Sequence, residues 1–285
     1  MTVPGVSRSP IESPASQDSA RRLAAVVLDW YALNARHLVF RRTADPWAVL
    51  VSEVMAQQTQ AERAARAWEA FIERYPTPAR FAEVAPAEAI RAWRGLGYNR
   101  RAIALRAAAI RIVERHGGRV PDDLDALQAL PGIGPYTARA VAAIAFGRRV
   151  AALDTNITRV LDRALGGLPA STRHRQAFAD TLVPLDRAAD WTHALMDIGA
   201  TFCRARETRC HACPLRQGCS AAQGDVRVAP TGPATPVRDA VPFRATTRWL
   251  RGRILDRLRD APDGAWTTFD GSMGDHGARA TRRAL

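Results

Sequence analysis

Four cysteines in one short segment constrain this chain more than any other feature of its sequence. Six, two and five residues separate Cys203, Cys210, Cys213 and Cys219 in turn. Four thiolates in one loop indicate a metal site, and this compact run favours a [4Fe-4S] cluster. Structural zinc, which usually takes two Cys-x-x-Cys pairs divided by a longer insert, is the alternative. His211 lies inside the run, where it is either a filler or a replacement for one ligand.

The charge of the chain indicates a polyanionic partner. Its 285 residues include 41 basic and 28 acidic side chains, a formal net charge of +13. All the basic residues are arginine, because the sequence contains no lysine. Such a field attracts phosphate before any specific contact forms, so nucleic acid is the first candidate. A GC-rich genome also explains the arginines, and a basic chain can also bind anionic lipid.

Helical periodicity dominates from Arg21 to Phe202, where apolar residues recur every three or four positions and strand alternation is hardly visible. One helix is predicted from Asp45-Pro46 to about Tyr75, because Asp45 suits the N-cap and Pro46 the first turn. Further helix starts are predicted at Ala85-Pro86, Pro121-Asp122, Pro135 and Ser171-Thr172. The sequence therefore predicts a string of short helices.

The two ends of the chain differ from this helical region. Residues 1–20 are rich in Pro and Ser, which predicts a disordered leader rather than a signal peptide. A catalytic domain is expected over 21–220, a linker over 221–242, and a short tail with one helix over 243–285. No segment has the apolar length of a membrane span. We therefore expect a cytoplasmic protein whose thiols stay reduced.

Two glycine-rich turns precede helices. Leu130–Tyr136 places two glycines one residue apart, so N–H groups can point outward beside the positive end of the next helix. A helix-hairpin-helix grips a DNA phosphate in this way, although the same turn alone is ordinary helix capping. The turn Gly95–Tyr98 precedes an arginine-rich helix. Tyr98 either wedges into a base stack or packs in the core.

Two carboxylates lie next to apolar residues. The apolar neighbours of Glu53 predict a raised pKa and a protonated carboxyl group, as a general acid requires. Glu53, Gln57 and Gln60 also form a stripe at helical spacing, which favours a solvent-facing position instead. Asp154 suits an N-cap, and that role is compatible with catalysis. Cleavage of an N-glycosidic bond needs one group to protonate the base and another to stabilise the sugar cation.

Five motifs, in this order, resemble an adenine DNA glycosylase of the MutY family. They are Ser52–Gln60, Gly95–Tyr98, Leu130–Tyr136, Leu153–Asn156 with Arg159–Leu161, and the cysteine run. The resemblance covers residues from about 21 to 221. It implies an all-α, helix-hairpin-helix DNA glycosylase fold with two helical lobes, a DNA-binding cleft and a [4Fe-4S] cluster loop at 203–219. It also implies a monomer, associated with the bacterial nucleoid, that flips and excises adenine from A:8-oxoguanine or A:G mispairs in double-stranded DNA.

The resemblance assigns a role to each matching residue. Glu53 becomes the acid that protonates adenine N7, and Asp154 the carboxylate that stabilises the sugar cation. Tyr136 and Asn156 hold these two groups in place. Gln58 and Tyr98 enter the base stack beside the partner of the flipped adenine. The remaining expected roles are DNA binding for Leu96, Gly132, Gly134 and Arg159, the base pocket for Arg41 and His193, and metal binding for the four cysteines.

The sequence departs from the family pattern at Phe40, Asn99, Thr155 and His193, which affects the shape of the base pocket. The 65 residues after Ser220 are also too few for the Nudix-like domain with which relatives read 8-oxoguanine. We therefore expect weaker lesion discrimination, or its transfer to Gln58, Tyr98 and the tail helix.

Three alternative functions fit parts of this sequence. Endonuclease III-type enzymes cut the strand through a Schiff base on a lysine, but that position is Tyr136 here and the chain has no lysine. The sequence therefore favours a monofunctional glycosylase. A thymine-mismatch glycosylase is a second alternative, against which Glu53 and the segment 57–60 argue. A non-catalytic iron-sulfur protein that binds DNA is the third.

Overall fold

A computed structural model describes residues 14–224, 241–262, 265–269 and 271–284. These residues form α-helices and short 3-10 helices, and their only β-type pairings are two isolated bridges, Cys203 with Thr208 and Met273 with His276. The predicted all-α fold class is therefore confirmed. No helix among them combines the length and apolar character that a membrane crossing requires.

Fourteen α-helices are present in the described residues. In chain order they are α1 (Pro14–Asn34), α2 (Pro46–Ala56), α3 (Ala61–Arg74), α4 (Pro78–Ala82), α5 (Pro86–Ala92), α6 (Arg100–His116), α7 (Leu124–Gln128), α8 (Pro135–Phe146), α9 (Thr155–Leu165), α10 (Thr172–Leu182), α11 (Ala188–Thr201), α12 (Ser220–Gln223), α13 (Thr247–Asp260) and α14 (Ala278–Ala284). They fall into two compact units. The larger unit contains 14–84 and 95–224, and the smaller contains 85–94 and the described residues from 241 onward.

Helix starts follow the capping signals in the sequence. The Asp45 carboxylate accepts from the Ala48 amide at 2.8 Å, and Pro46 occupies the first turn of α2. Helices α5, α8 and α10 also begin where predicted. Helix α7 begins slightly later than expected, because Asp123 caps it by accepting from the amides of Asp125 and Ala126.

The prediction of one continuous helix from Pro46 to Tyr75 is wrong. Helix α2 ends at Ala56 and α3 begins at Ala61. The carbonyl oxygens of Val54 and Met55 accept from the Arg101 guanidinium, at 2.9 Å and 3.1 Å. A side chain from another helix thus binds carbonyls at the end of α2. The periodicity of 46–75 contains no sign of this distant partner.

Helix α2 is the most deeply buried element of the larger unit. Every residue from Trp47 to Met55 is buried, so this helix has no solvent face. A second apolar core forms where α1, α8, α9, α10 and α11 meet, around Ile157, Leu161, Trp191 and Leu195. The half-buried cysteines 203, 213 and 219 pack against this core. The cysteine loop is therefore attached to the helices around α9 and α11.

Both ends differ from the sequence prediction. Helix α1 begins at Pro14, so the boundary predicted for the leader at residue 20 is too late. Residues 1–13 and 225–240, which hold most of the predicted leader and linker, lie outside the described residues. The smaller unit has the predicted helix α13 and a second one, α14, whose only apolar residues are alanines and give little periodicity.

Candidate active site

Glu53 projects from the buried helix α2, and its residue is only 8% exposed. Burial in an apolar environment raises the pKa of its carboxyl group from 4.5 to about 7. The Asp154 charge acts in the same direction, whereas a hydrogen bond from Tyr136 and the charge of Arg41 oppose it. The solvent-facing alternative for Glu53 is therefore wrong. Of the predicted stripe, Gln60 is exposed and Gln57 is half-buried.

Tyr136 lies in the first turn of α8, directly after the glycine-rich turn. Its hydroxyl donates to the Glu53 carboxyl group. Burial, then the negative charges of Glu53 and Asp154, hold the pKa of this hydroxyl well above 10. Tyr136 is consequently a permanent donor, which fixes the position of the Glu53 side chain.

Asp154 caps the N-terminus of α9, as its sequence context predicts. One carboxylate oxygen accepts from the Ile157 amide at 2.6 Å, and the other accepts from the Asn156 side chain at 3.0 Å. Both oxygens are thus held by donors. Because the charge of Asp154 acts on Glu53 and Tyr136, the structure brings the two carboxyl groups into one site.

A chain of hydrogen bonds lies behind Asp154. Asn156 accepts from the Arg159 guanidinium at 2.7 Å, and Arg159 also donates to the Cys203 carbonyl at 2.6 Å. Two further donations go to the carbonyls of Thr155 and Gly199. Arg159 therefore uses four of its five N–H groups inside the protein. The structure gives it this internal role, and the DNA contact predicted from the sequence stays a prediction.

Arg41 and His193 form a buried polar group beside Glu53. The Arg41 guanidinium pairs with both oxygens of Asp197, at 2.7 Å and 2.8 Å, and Asp197 is fully buried. Burial, followed by the charge of Arg41, lowers the pKa of His193 to about 3, so its imidazole is neutral. Sequence reasoning missed Asp197. Its spacing of four residues from His193, on the same face of helix α11, was the available signal.

The four cysteines line one cavity of the larger unit, and all four are free thiols. Arg163, on α9, donates to the Cys203 sulfur at 3.4 Å and to the Arg204 carbonyl at 2.9 Å. Among the described residues, no three His, Cys, Asp or Glu side chains are close enough together to hold a single metal ion. The exposed His211 does not line the cavity.

Of the two glycines in the hairpin, Gly132 occupies a position that only glycine can fill, whereas Gly134 does not. Gly132 has φ +78°, and a Cβ built there would lie 2.7 Å from the Ala104 Cβ. Both the backbone and the space therefore demand glycine at this position. Gly134 has φ −87° and meets nothing within 4 Å, and it serves as the N-cap of α8. Pro135, the first residue of α8, has no N–H, so the amides at the N-terminus of α8 belong to Gly134, Tyr136 and Thr137.

Leu96 and Tyr98, both in the turn before α6 and both predicted to bind DNA, differ in their exposure to solvent. Leu96 is buried, with 5% of its surface exposed, which contradicts the predicted DNA contact for this residue. Tyr98 is 43% exposed, so the core-aromatic alternative is wrong for it. Gln58 is also exposed. Tyr98 and Gln58 both line a cavity of about 430 Å³.

The departures from the family pattern lie in different environments. Phe40 is buried, with its ring edge-on to Trp68 at a centroid distance of 6.4 Å. Asn99 directly precedes α6, and Thr155 is the exposed first residue of α9. Of the four, only His193 lies within the buried polar group beside Glu53.

Comparison with known proteins gives one consistent picture. Residues 51–184 match the HhH-GPD superfamily base excision DNA repair protein family. The chain is 44% identical over 239 residues to the adenine DNA glycosylase of Mycolicibacterium smegmatis, covering 82% of this chain and 80% of that relative. A thermostable thymine-DNA glycosylase structure matches with a TM-score of 0.69 and 29% identity, covering 74% of this chain and 99% of the other. A trapped endonuclease III–DNA complex shares the fold, with a TM-score of 0.63, 24% identity, and coverage of 74% and 99%.

The raised pKa of Glu53 predicts how stability responds to pH. Between pH 4.5 and about 7 the unfolded chain releases a proton that the folded protein keeps, so wild-type stability falls as pH rises through this range. Glu53→Gln cannot titrate. We therefore compare the free energy of unfolding of the variant with that of wild type, measured by urea unfolding at pH 4.5 and at pH 8. Between these two pH values, the difference should shift in favour of the variant by up to about 3 kcal/mol.

A matched control is Glu69→Gln, which removes a carboxylate from an exposed position of α3. This control should change the pH dependence little. A constant difference between wild type and Glu53→Gln across the range would contradict the raised pKa.

Proposed function

Since the chain belongs to the adenine DNA glycosylase family, within the HhH-GPD superfamily of base excision DNA repair proteins, we propose that it excises adenine mispaired with 8-oxoguanine or guanine. The observation that carries this proposal is the buried Glu53. Its carboxyl group has a pKa of about 7, and the charge of Asp154 acts on it in the same site. A general acid is most effective when its pKa lies near the working pH.

The proposed reaction begins with extrusion of adenine from the duplex, because the glycosidic bond is inaccessible inside the stack. Glu53 transfers its proton to a ring nitrogen of adenine, and the bond between the sugar C1′ and adenine N9 breaks with its electron pair moving to the base. Asp154 stabilises the positive charge left on the sugar. Water then adds to C1′, its proton returns to Glu53, and an abasic site remains.

The carboxyl groups of Glu53 and Asp154 are each positioned by a different neighbouring side chain. Tyr136 donates to Glu53, and Asn156 donates to Asp154. These contacts support the roles assigned to both residues by resemblance. Tyr136 also occupies the hairpin position at which a lyase has its lysine. With no lysine in the sequence, a Schiff base on a lysine cannot form, which supports a reaction that ends with hydrolysis.

The base pocket is proposed to lie beside Arg41 and His193. The Arg41 guanidinium is held by both oxygens of Asp197 and by a side-chain hydrogen bond with Tyr31. It therefore adds a fixed positive charge beside the proposed pocket. Neutral His193 offers one donor and one acceptor, which suits the mixed hydrogen-bonding edge of adenine.

Double-stranded DNA is the proposed partner, and its backbone is the proposed ligand of the hairpin. The N-terminus of α8 provides unpaired amides next to Gly132 and Gly134, and such an end attracts phosphate. The net charge of +13 adds a sequence-independent attraction to the duplex. Contacts of this kind fix the position of the protein on DNA without reading base sequence.

A [4Fe-4S] cluster is the proposed cofactor of the four cysteines. The donor set fits this group, because four free thiols line one cavity and Arg163 donates to the Cys203 sulfur. A single zinc ion needs its ligands around one point, whereas a cubane takes one thiolate at each of four irons. When bound, such a cluster cross-links the loop and fixes its position against α9. Arg163 balances part of the thiolate charge.

The function is tested by single-turnover assays on duplexes with an A:8-oxoguanine or an A:G pair. We expect base release without strand scission in wild type. Glu53→Gln and Asp154→Asn should each lower the rate by at least about 100-fold, since each removes a group that acts in the transition state. The exposed Glu69→Gln should match wild type. Rapid excision by Glu53→Gln would show that Glu53 is not the general acid. Absence of excision by wild type would refute the proposed function.

The cofactor is tested by elemental analysis of protein purified without oxygen. We expect about four irons and four sulfides per chain and a broad visible absorption band. Cys203→Ser should lower the iron content, whereas the exposed His211→Ala should leave it unchanged. One zinc per chain with no sulfide would establish the alternative metal.

A further inference from the structure

The geometry points to Arg101 as the positioning residue for the two loops that separate the DNA strands. These loops are Gln57–Thr59, between α2 and α3, and Gly95–Tyr98, before α6. The inference rests on the proposed function and adds to it a residue that touches neither the base nor the sugar. Arg101 lies in the first turn of α6 and is 9% exposed.

One guanidinium holds both loops. Towards the first loop, Arg101 donates to the carbonyls of Val54 and Met55 at 2.9 Å and 3.1 Å, to the Gln57 carbonyl, and to the Thr59 hydroxyl at 3.2 Å. Towards the second loop, it donates to the carbonyls of Leu96 and Gly97 at 3.0 Å and 3.2 Å. The four N–H groups of its two terminal nitrogens thus lie within hydrogen-bond distance of six acceptors, some of which share a hydrogen, and these acceptors come from two segments that are distant in sequence.

The backbone shows why such a connection is needed. Gln58 and Tyr98 are the only non-glycine residues in the described part of the chain with positive φ, at 53° and 47°. This left-handed conformation is unfavourable for residues with a Cβ and persists where surrounding contacts enforce it. Each of the two residues directly follows a residue whose carbonyl accepts from Arg101, namely Gln57 and Gly97. Arg101 thereby stabilises both strained positions.

The two loops present their side chains to one place. Gln58, Tyr98 and Arg101 line the cavity of about 430 Å³, together with Pro131 and Gly132 of the hairpin. The Arg101 guanidinium also lies 5.8 Å from the centre of the Tyr98 ring, within the range of a cation–π contact. A polar and an aromatic side chain, held rigidly beside the DNA-binding hairpin, are suited to enter a base stack and unstack it.

Lysine cannot replace arginine in this arrangement. An ammonium group has three donors around one point, whereas the guanidinium is a rigid fork that reaches separated acceptors. Arg101→Lys therefore keeps the charge and removes the connection. Arg106 offers a matched control, because it lies on the same helix, is half-buried, and donates to the carbonyl of Val84 alone.

The experiment measures unstacking and excision separately. The duplex carries 2-aminopurine next to an adenine opposite guanine, and the sugar of that adenine is 2′-fluorinated so that its bond resists cleavage. Saturating wild type should raise the fluorescence as the stack opens. We expect Arg101→Lys to give at least a 5-fold smaller rise and at least a 10-fold slower single-turnover excision from an ordinary A:G duplex. Arg106→Lys should match wild type in both assays.

A second variant covers the case in which Arg101→Lys does not fold. Thr59→Val removes one acceptor and keeps the shape of the side chain, so it should reduce the fluorescence rise by 2-fold or more. A wild-type rise in Arg101→Lys, or in Thr59→Val where the lysine variant does not fold, would overturn the inference while leaving the function intact. Absence of both excision and fluorescence change in wild type would instead refute the proposed function.

Discussion

The proposed chemistry rests on the desolvation of one carboxyl group, that of Glu53. Glu53 lies in a helix with no solvent face, where a charged carboxylate is strongly disfavoured. Its pKa of about 7 is a balance, because Tyr136 and Arg41 favour the charged form while burial and Asp154 favour the neutral one. This balance leaves Glu53 able to release its proton near neutral pH and to take it back.

Helix α9 connects the Asp154 carboxylate to the cysteine loop. Asp154 caps its first turn, Arg159 links Asn156 to the Cys203 carbonyl, and Arg163, one turn later, donates to the Cys203 sulfur. The same short helix therefore positions groups at both places.

Local signals in the sequence predicted much of the fold and the nearest neighbours of the site. Proline and capping residues mark the starts of α2, α5, α8 and α10, and the context of Asp154 predicts its N-cap role. Contacts between distant segments could not be predicted in this way. Helix α2 ends where Arg101 binds its last carbonyl groups. Arg41 forms an ion pair with Asp197, which lies 156 residues away in the sequence, so no local pattern connects the two residues. Leu96 is buried although its turn faces the proposed DNA surface.

The most direct test of this account is a measurement of the protonation state of Glu53 itself. Isotope-edited infrared or carbon NMR spectra of wild type, minus those of Glu53→Gln, isolate the signal of this carboxyl group as pH varies. We expect a titration midpoint of about 7 in the free protein. A midpoint close to 4.5 would show that the carboxyl group is ionised at neutral pH, and the acid role of Glu53 would then have no physical basis.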